Sequence, residues 1–203
     1  MSPLAHLNFF SPDGRCYSFD HRANGYARGE GFGVVVIKRL SDALASGDTI
    51  RAVIRATGSN ENGRTIGGIT QVNAAAQESL IRKTYQKARL DFSETRYVEA
   101  HGPGTGGDIV EAAALASVFA DFRSDNDPLY LGSCKANVGH LEGGSGIAGL
   151  IKTILILEHG IIPQLANFER LNPGIPAERY HFKVCDTPSR DIESFLIEIS
   201  VSN

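Results

Sequence analysis

Leu129-Tyr-Leu-Gly-Ser-Cys-Lys-Ala-Asn-Val-Gly-His-Leu-Glu-Gly-Gly-Ser-Gly-Ile-Ala-Gly149 is the stretch around which the other segments of the chain are arranged. It begins with a short strand-like run, and the apolar residues 147–157 have the spacing and length of a helix. The glycine-rich connection between them carries Lys135, Asn137, His140 and Glu142. In α/β proteins, sites are commonly held where a strand ends and a helix begins. The stretch therefore predicts a candidate site.

The segments before this stretch alternate between helix and strand. Asn73–Leu90 has the pattern of an amphipathic helix, and Arg96–Ala100 that of a short strand. A helix is predicted over Ile109–Asp121, where Asp108 and Glu111 have the spacing of an N-cap and its reciprocal partner. Helices that alternate with strands at this spacing predict parallel strands joined by right-handed crossovers. The fold class is therefore α/β.

Two β-branched runs nearer the amino terminus predict a pair of strands. They are Val34–Leu40 and Thr49–Thr57, most simply arranged as antiparallel neighbours. The segment Ser41–Asp48 between them can hold one helical turn, with Ser41 as its N-cap and Gly47 at its end.

Composition and charge exclude several classes of function. The chain has 203 residues, of which 42% are hydrophobic, and this suffices for a packed core. Its 20 basic and 23 acidic side chains give a net charge of −3, which does not indicate a nucleic-acid or membrane partner. Three cysteines without paired spacing favour a reducing compartment. Since residues 1–10 lack the pattern of a signal peptide, a cytoplasmic protein is expected.

The predicted topology brings distant polar side chains together. His101 follows one strand directly, and Lys135 and His140 follow the next at a short distance. The carboxyl ends of neighbouring parallel strands lie at the same edge of a sheet, so these side chains can face a common pocket. Two neutral imidazoles can donate hydrogen bonds to an oxyanion, while the lysine adds positive charge or orients a neighbour. Either histidine alone would be interpreted as an ordinary loop residue.

Other kinds of site fit the sequence less well. Gly144-Ser-Gly-Ile-Ala-Gly149 matches the glycine pattern of dinucleotide-binding helices, which keeps an oxidoreductase as an alternative. However, that pattern normally follows its strand directly, and here a long polar loop intervenes. No Gly-Lys-Ser/Thr motif for phosphate binding occurs. No metal site is expected, because Cys134, His140 and Glu142 lack the spacing of metal ligands.

Three segments carry motifs that occur together, in this order, in one enzyme family. The first, Phe19–Gly33, contains Gly-Tyr-Ala-Arg-Gly-Glu-Gly-Phe-Gly; the second is Glu99-Ala-His-Gly-Pro-Gly-Thr105; the third is Gly132-Ser-Cys-Lys-Ala-Asn-Val-Gly-His140. They resemble segments of the β-ketoacyl synthases, most closely the ketosynthase domain of multidomain fungal polyketide synthases. The resemblance runs from Ser11 to Val184. It implies a partial thiolase-like fold of α-β-α-β-α layers, made of the carboxyl-terminal half and the last strands of the amino-terminal half.

The resemblance also implies a reaction and a role for each site residue. Enzymes of this family join acyl and malonyl thioesters by decarboxylative Claisen condensation in polyketide and fatty acid biosynthesis. The four catalytic residues would be His101 and His140 at the thioester enolate, Lys135 organising them and Glu142 as a supporting acid. The substrate-binding residues would be Thr105, at the phosphopantetheine arm of the carrier, and Asn137. The implied partner is an acyl carrier protein, whose phosphopantetheine holds the substrates, and no cofactor is expected. The resemblance also implies a homodimer for the full-length family.

The sequence departs from the family pattern in several places. Pro103 stands where the family has a threonine, Ile109 stands where a proline is usual, and the intervening loop is one residue short. These changes raise the question of whether His101 keeps its position. The Ala-Cys-Ser pattern of the family's nucleophile is absent, and we interpret Cys16, Cys134 and Cys185 as small apolar side chains.

The resemblance predicts a single truncated domain over residues 1–203. In it, residues 11–68 end the amino-terminal half with the strand pair, residues 69–184 form the carboxyl-terminal half, and residues 185–203 form a poorly matching tail in which residues 199–203 start a closing strand. Such a chain is expected to be inactive alone. The alternatives are a non-catalytic remnant, a half-domain that depends on a partner, and a malonyl decarboxylase.

Overall fold

A parallel sheet forms the centre of the molecule. The computed structural model describes residues 9–61, 63 and 72–189, together with the backbone of residues 196–199. Within these residues the strands are β1 (Thr95–Glu99), β2 (Leu129–Gly132), β3 (Phe182–Val184) and β4 (Leu196–Ile199). The strand order is β3-β2-β1-β4, and every neighbouring pair is parallel. The prediction of parallel strands is confirmed.

Six α-helices lie in the described part of the chain. They are α1 (Leu40–Ser46), α2 (Ala74–Ala88), α3 (Gly107–Phe119), α4 (Lys135–Val138), α5 (Ser145–His159) and α6 (Ala177–Tyr180). Short 3-10 turns at 92–94, 120–122 and 142–144 join some of them to their neighbours. The helices predicted over residues 73–90, 109–121 and 147–157 correspond to α2, α3 and α5. The one-turn helix α4 inside the polar connection was not predicted.

Alternation along the strands divides the core between the two faces of the sheet. Val98 and Leu131 face one side, where they pack with buried side chains of α2 and α3 such as Ile81 and Phe119. Their neighbours Tyr97 and Tyr130 face the other side and pack with Ile156 of α5. Because successive side chains of a strand point to opposite faces, one short sheet builds both layers.

The predicted antiparallel strand pair is wrong. Residues 34–39 and 49–57 have no strand structure, and residue 40 begins α1. Many of their apolar side chains are exposed; Val36, for example, is 97% exposed. A β-branched run becomes a strand only when a partner supplies hydrogen bonds and a packing surface, and within the described residues neither run has one.

The ends of α1 were predicted half correctly. Gly47 ends this helix in the left-handed conformation, with φ 66°, and its N–H donates to carbonyls of the last turn, as predicted. The N-cap, however, is Arg39 and not Ser41, since the helix begins one residue before the serine. Ser41 therefore lies in the first turn, where its hydroxyl contacts the neighbouring Asp42 carboxylate.

The carboxyl-terminal tail contributes a strand to the sheet. β4 pairs with β1 and ends at Ile199, so the strand lies earlier than the predicted closing strand. Residues 200–203 of that prediction lie outside the described residues. The boundaries of the two half-domains, at residues 68 and 184, stay predictions.

Candidate active site

The two histidines meet at the carboxyl edge of the sheet. His101 follows β1 by two residues, and His140 lies beyond the short helix that follows β2. Their ring centroids are 5.3 Å apart, in an edge-to-face arrangement with an interplanar angle of 78°. Pro103 and the shortened loop therefore do not separate the two rings, and the predicted convergence of the imidazoles is confirmed.

Hydrogen bonds define the tautomer of His140. Its Nδ1 accepts the backbone N–H of Glu142 at 2.9 Å and lies 3.1 Å from Oγ of Ser145. A backbone amide can only donate, so Nδ1 presents a lone pair, and the neutral ring carries its proton on Nε2. The main chain of His140 is held by Ala27 and Gly29, through bonds of 2.7 Å and 3.0 Å. His140 is therefore an oriented hydrogen-bond donor through Nε2.

His101 is held through its backbone. Its N–H donates to Oε1 of Glu111 at 2.8 Å, and the next amide, that of Gly102, donates to Oε2 at 2.9 Å. The carbonyl of His101 accepts the hydroxyl of Ser133 at 3.0 Å, which ties the end of β1 to the end of β2. Within the described residues, Nδ1 of the imidazole is buried without a hydrogen-bond partner.

Burial and a neighbouring ammonium keep both imidazoles neutral. Burial, followed by the charges of Lys135 and His140, lowers the pKa of His101 to about 3. Burial and Lys135 also lower the pKa of His140, while Glu142 opposes this effect. The lysine itself is only 5% exposed. At neutral pH the site therefore combines two uncharged donors with one buried positive charge.

The other three predicted site residues lie on the segments that follow β1 and β2. The Glu142 carboxylate binds Nη1 of Arg28 at 2.6 Å and accepts from Oη of Tyr26 at 3.3 Å, so its direct contact with His140 is through its backbone. Thr105 Oγ1 accepts the N–H of residue 107 at 3.2 Å, and Asn137 is exposed on α4. Their catalytic and substrate-binding roles stay predictions.

Asp108 does not cap helix α3, so the predicted capping box is wrong. The helix begins at residue 107, and the carboxylate of Asp108 instead accepts backbone amides of Phe19 at 2.9 Å and Thr105 at 3.0 Å. The carboxylate of Glu111 accepts the backbone N–H groups of His101 and Gly102. Burial raises the pKa of Asp108 to about 7, although these amides lower it. Buried loop amides need acceptors, and two carboxylates one helical turn apart supply them.

Several residues that hold the site were not predicted from the sequence. Ser145 holds Nδ1 of His140, and the ring of Tyr26 packs 4.9 Å from that imidazole. Glu99 binds the amide of Cys134 next to Lys135. Tyr26 lies in the family motif at residues 19–33 and Glu99 in the motif at residues 99–105, so the motifs could have indicated both residues. No local spacing rule relates Ser145 to the histidine.

The three cysteines are buried and free of disulfide bonds. Burial, followed by the charge of Glu99, raises the pKa of Cys134 to about 11, and burial raises the pKa of Cys16. The thiols of Cys16 and Cys134 are therefore protonated at neutral pH, and a protonated thiol is a poor nucleophile.

The described part of the chain contains neither a metal site nor a membrane-spanning helix. No group of three or more histidine, cysteine or acidic residues is arranged to hold a metal ion there. None of the helices found there is long and apolar enough to cross a bilayer.

Family models decide the relationship. The model for the carboxyl-terminal domain of β-ketoacyl synthases matches residues 51–169, which is more than half of the chain. The chain belongs to the β-ketoacyl synthase family. The model for the amino-terminal domain of the same family matches residues 2–43 of this ketosynthase chain.

Curated relatives place the ketosynthase among fungal polyketide synthases. It is 54% identical over 187 residues to highly reducing polyketide synthase 40 of Fusarium mangiferae, covering 92% of this chain and 8% of that protein. It is 56% identical over 188 residues to reducing polyketide synthase PKS1 of Cochliobolus heterostrophus, covering 92% of this chain and 7% of that protein. The chain thus spans less than a tenth of the length of these relatives. The predicted fungal multidomain type is confirmed.

Solved structures agree with the family and the fold. The ketosynthase from module 6 of the bacillaene synthase of Bacillus subtilis 168 is 34% identical, with a TM-score of 0.87 over 95% of this chain and 36% of that chain. The oxazolomycin ketosynthase domain KS7 of Streptomyces albus JA3453 is 36% identical, with a TM-score of 0.86 over 92% of this chain and 32% of that chain. The prediction of a partial thiolase-like α/β fold is confirmed.

Proposed function

We propose that this chain is the oxyanion-binding part of a ketosynthase that condenses acyl and malonyl thioesters in polyketide biosynthesis. The observation that carries the proposal is the pair of neutral imidazoles 5.3 Å apart beside the buried Lys135. The substrates would arrive on the phosphopantetheine of an acyl carrier protein. No bound cofactor is needed for this chemistry, and a cytoplasmic location stays a prediction.

The site suits the first half of the reaction. When a malonyl thioester loses carbon dioxide, the bond to the carboxylate breaks and its electron pair forms an enolate, with negative charge on the thioester oxygen. Preorganised donors in a water-poor site stabilise such charge, and each is worth about 3–4 kcal/mol. His140 can donate from Nε2, and the charge of Lys135 favours the anion over a neutral species. Since the imidazoles stay uncharged, they can donate hydrogen bonds without protonating the enolate.

The second half needs an acyl group on a thiol. The enolate carbon attacks the acyl carbonyl, a carbon–carbon bond forms, and the thiolate leaves. None of the three buried cysteines suits that role, because their thiols are inaccessible and the pKa values of Cys16 and Cys134 are raised. The acylated cysteine would therefore come from another polypeptide segment, which is the partner-dependent form of the proposal.

Decarboxylation tests the oxyanion site on the chain itself. The chain is incubated with carrier protein bearing carboxyl-labelled malonyl phosphopantetheine, and released label is counted. Decarboxylation, unlike condensation, uses no thiol of the enzyme as a reactant, so we expect release by the unmodified chain. We expect a loss of roughly 100-fold or more in His101→Ala and in His140→Ala, because each removes a donor. His159→Ala, which changes an exposed histidine at the end of α5, is the matched control. Equal rates in all four proteins would contradict the proposal.

A chimera tests condensation. Residues 9–189 replace the matching segment of the Fusarium mangiferae synthase, and polyketide product is measured. Product formation that is lost in the His140→Ala chimera supports a ketosynthase role. A chimera that releases labelled carbon dioxide but forms no product favours the second candidate, a malonyl decarboxylase, which the raised thiol pKa values of this chain also favour.

A further inference from the structure

A buried charged cluster lies beside the histidine site on the α5 face of the sheet. Its centre is the carboxylate of Glu99, which is 2% exposed. Oε2 accepts hydrogen bonds from Oη of Tyr97 at 2.5 Å and from Nζ of Lys152 at 2.7 Å. Oε1 accepts the backbone N–H of Cys134 at 2.6 Å. Lys152 also donates to Oη of Tyr97 at 2.8 Å, so the cluster is closed on itself.

Two glycines make room for this cluster. A Cβ at Gly132 would lie 2.3 Å from Oη of Tyr97, and a Cβ at Gly149 would lie 3.1 Å from Cγ of Glu99. The first distance is a clash, and the second requires the carboxylate to move. The cluster is therefore a built feature of the sheet and α5, held in one arrangement by packing.

The cluster touches both segments that carry the site. Glu99 lies two residues before His101 on the same strand end, and the amide that it binds belongs to Cys134, the residue before Lys135. Glu99, Lys135 and Lys152 all act on the Cys134 thiol, so the carboxylate and both ammonium groups lie within electrostatic range of one atom. Lys135 and Lys152 are thus two cations that the same buried carboxylate can attract.

A buried carboxylate is stable only with a compensating charge. We propose that Lys152 is a positioning residue of the site: by pairing with Glu99, it leaves Lys135 available to His101 and His140. Without Lys152, Glu99 attracts Lys135, and the positive charge moves away from the imidazoles. The catalytic importance of this arrangement rests on the proposed function, but the arrangement itself is measurable without any substrate.

The test is an NMR titration of the full chain with labelled histidine. The reporter is the pKa of His140, which faces Lys135, Arg28, Glu142, Tyr26 and the ring of His101. In Lys152→Met we expect this pKa to rise by roughly one pH unit, as in Lys135→Met, because the lysine charge has left the imidazole. In Glu99→Gln/Lys152→Met we expect the pKa of His140 to return to the wild-type value, since the introduced amide oxygen accepts the Cys134 N–H without attracting a cation. Lys183→Met, at an exposed position of β3, is the control and leaves the pKa of His140 unchanged.

A second comparison separates positioning from a direct charge effect. If Lys152 acts through Lys135, the pKa of His140 is the same in Lys135→Met and in Lys135→Met/Lys152→Met. Additive rises in the double variant, or an unchanged pKa in folded Lys152→Met, would overturn the proposal. If Lys152→Met does not fold, the double variant Glu99→Gln/Lys152→Met, which lacks both charges, is measured in its place. A pKa of His140 above the wild-type value in this double variant would overturn the proposal. Failure of the decarboxylation assay alone leaves these titration results standing.

Discussion

Single buried side chains set much of the pH dependence expected of this chain. Asp20 is fully buried, and it accepts Nε of Arg22 at 2.8 Å and the backbone amides of Glu169 and Arg170 at 2.7 Å and 3.2 Å. Burial alone would raise the pKa of this carboxyl, but these donors lower it to about 2. One carboxylate thus joins the loop before the motif at residues 25–33 to the loop after α5.

Asp20→Asn should remove part of the acid sensitivity. The ordinary pKa is 3.8, so the stabilisation is complete above about pH 4 and is lost as the pH falls through about 2. The stabilisation that follows from the lowered pKa of Asp20 is about 2 kcal/mol in the free energy of unfolding. Urea unfolding at pH 2.5 and pH 6 measures it. Asp13→Asn, an exposed carboxylate bonded to Asn24, is the control, and an equal pH dependence in the two variants would contradict the prediction.

His101 should make the fold less stable in mild acid. Its pKa falls from 6.5 to about 3 on folding, so the unfolded chain binds a proton between these values and the folded chain does not. Stability is therefore full above pH 6.5 and decreases as the pH falls below it, by an amount on the order of a few kcal/mol near pH 4.

His101→Gln should reduce this loss of stability in acid. The urea midpoint of the variant is expected to change less between about pH 7 and pH 4.5 than that of the unmodified chain, because glutamine does not titrate. His159→Gln serves as the control, since it changes an exposed histidine. A variant as acid-sensitive as the unmodified chain would show that His101 is protonated in the folded state.

Helix α3 acts as an anchor for the loop that carries His101. Its first turns present Asp108 and Glu111, whose carboxylates together accept amides of residues 19, 101, 102, 104 and 105. A loop with so many buried N–H groups cannot keep its path without acceptors. The helix therefore determines where the imidazole of His101 lies.

Glu111→Gln tests the anchor. The amide group of glutamine places an N–H donor against one of the two backbone N–H groups that the carboxylate accepts, at His101 or Gly102. We expect a loss of about 2 kcal/mol in stability, the usual cost of a buried donor without a partner. Thermal unfolding measures it, with exposed Glu94→Gln as the matched control. A loss equal to that of the control would mean that the loop is held elsewhere.

At the scale of the whole molecule, one extended segment has a strongly apolar surface. Phe32, Val34, Val36 and Ile37 are 95%, 80%, 97% and 72% exposed. Exposed apolar area of this extent on a single run is typical of surfaces that another polypeptide covers.

The isolated chain should self-associate through this segment. We expect size-exclusion chromatography to show aggregates whose fraction rises with concentration, and Val34→Lys/Val36→Lys to increase the monomer fraction several-fold by adding charge to the run. Phe122→Ser, which changes an exposed phenylalanine packed beside Phe92, is the control. A stable monomer of the unmodified chain at high concentration would contradict the prediction.

Local sequence was sufficient for the helices α2, α3 and α5, for β1 and β2, and for the end of α1 at Gly47. Periodicity, strand propensity and left-handed glycine are properties of contiguous residues, so they can be recognised without the fold. The convergence of His101 and His140 was also predictable, since parallel strands bring their carboxyl ends to one edge of a sheet.

Partners distant in the chain determined the remainder. Asp108 and Glu111 have the spacing of a capping box, yet they bind loop amides, because the folded loop places unpaired donors against them. Val34–Leu40 has strand propensity but no partner in the described residues. Lys152 reaches Glu99, which lies 53 residues earlier in the chain, only because α5 packs on the sheet. Hydrogen bonds and burial depend on which surfaces meet, and one-dimensional spacing does not specify that.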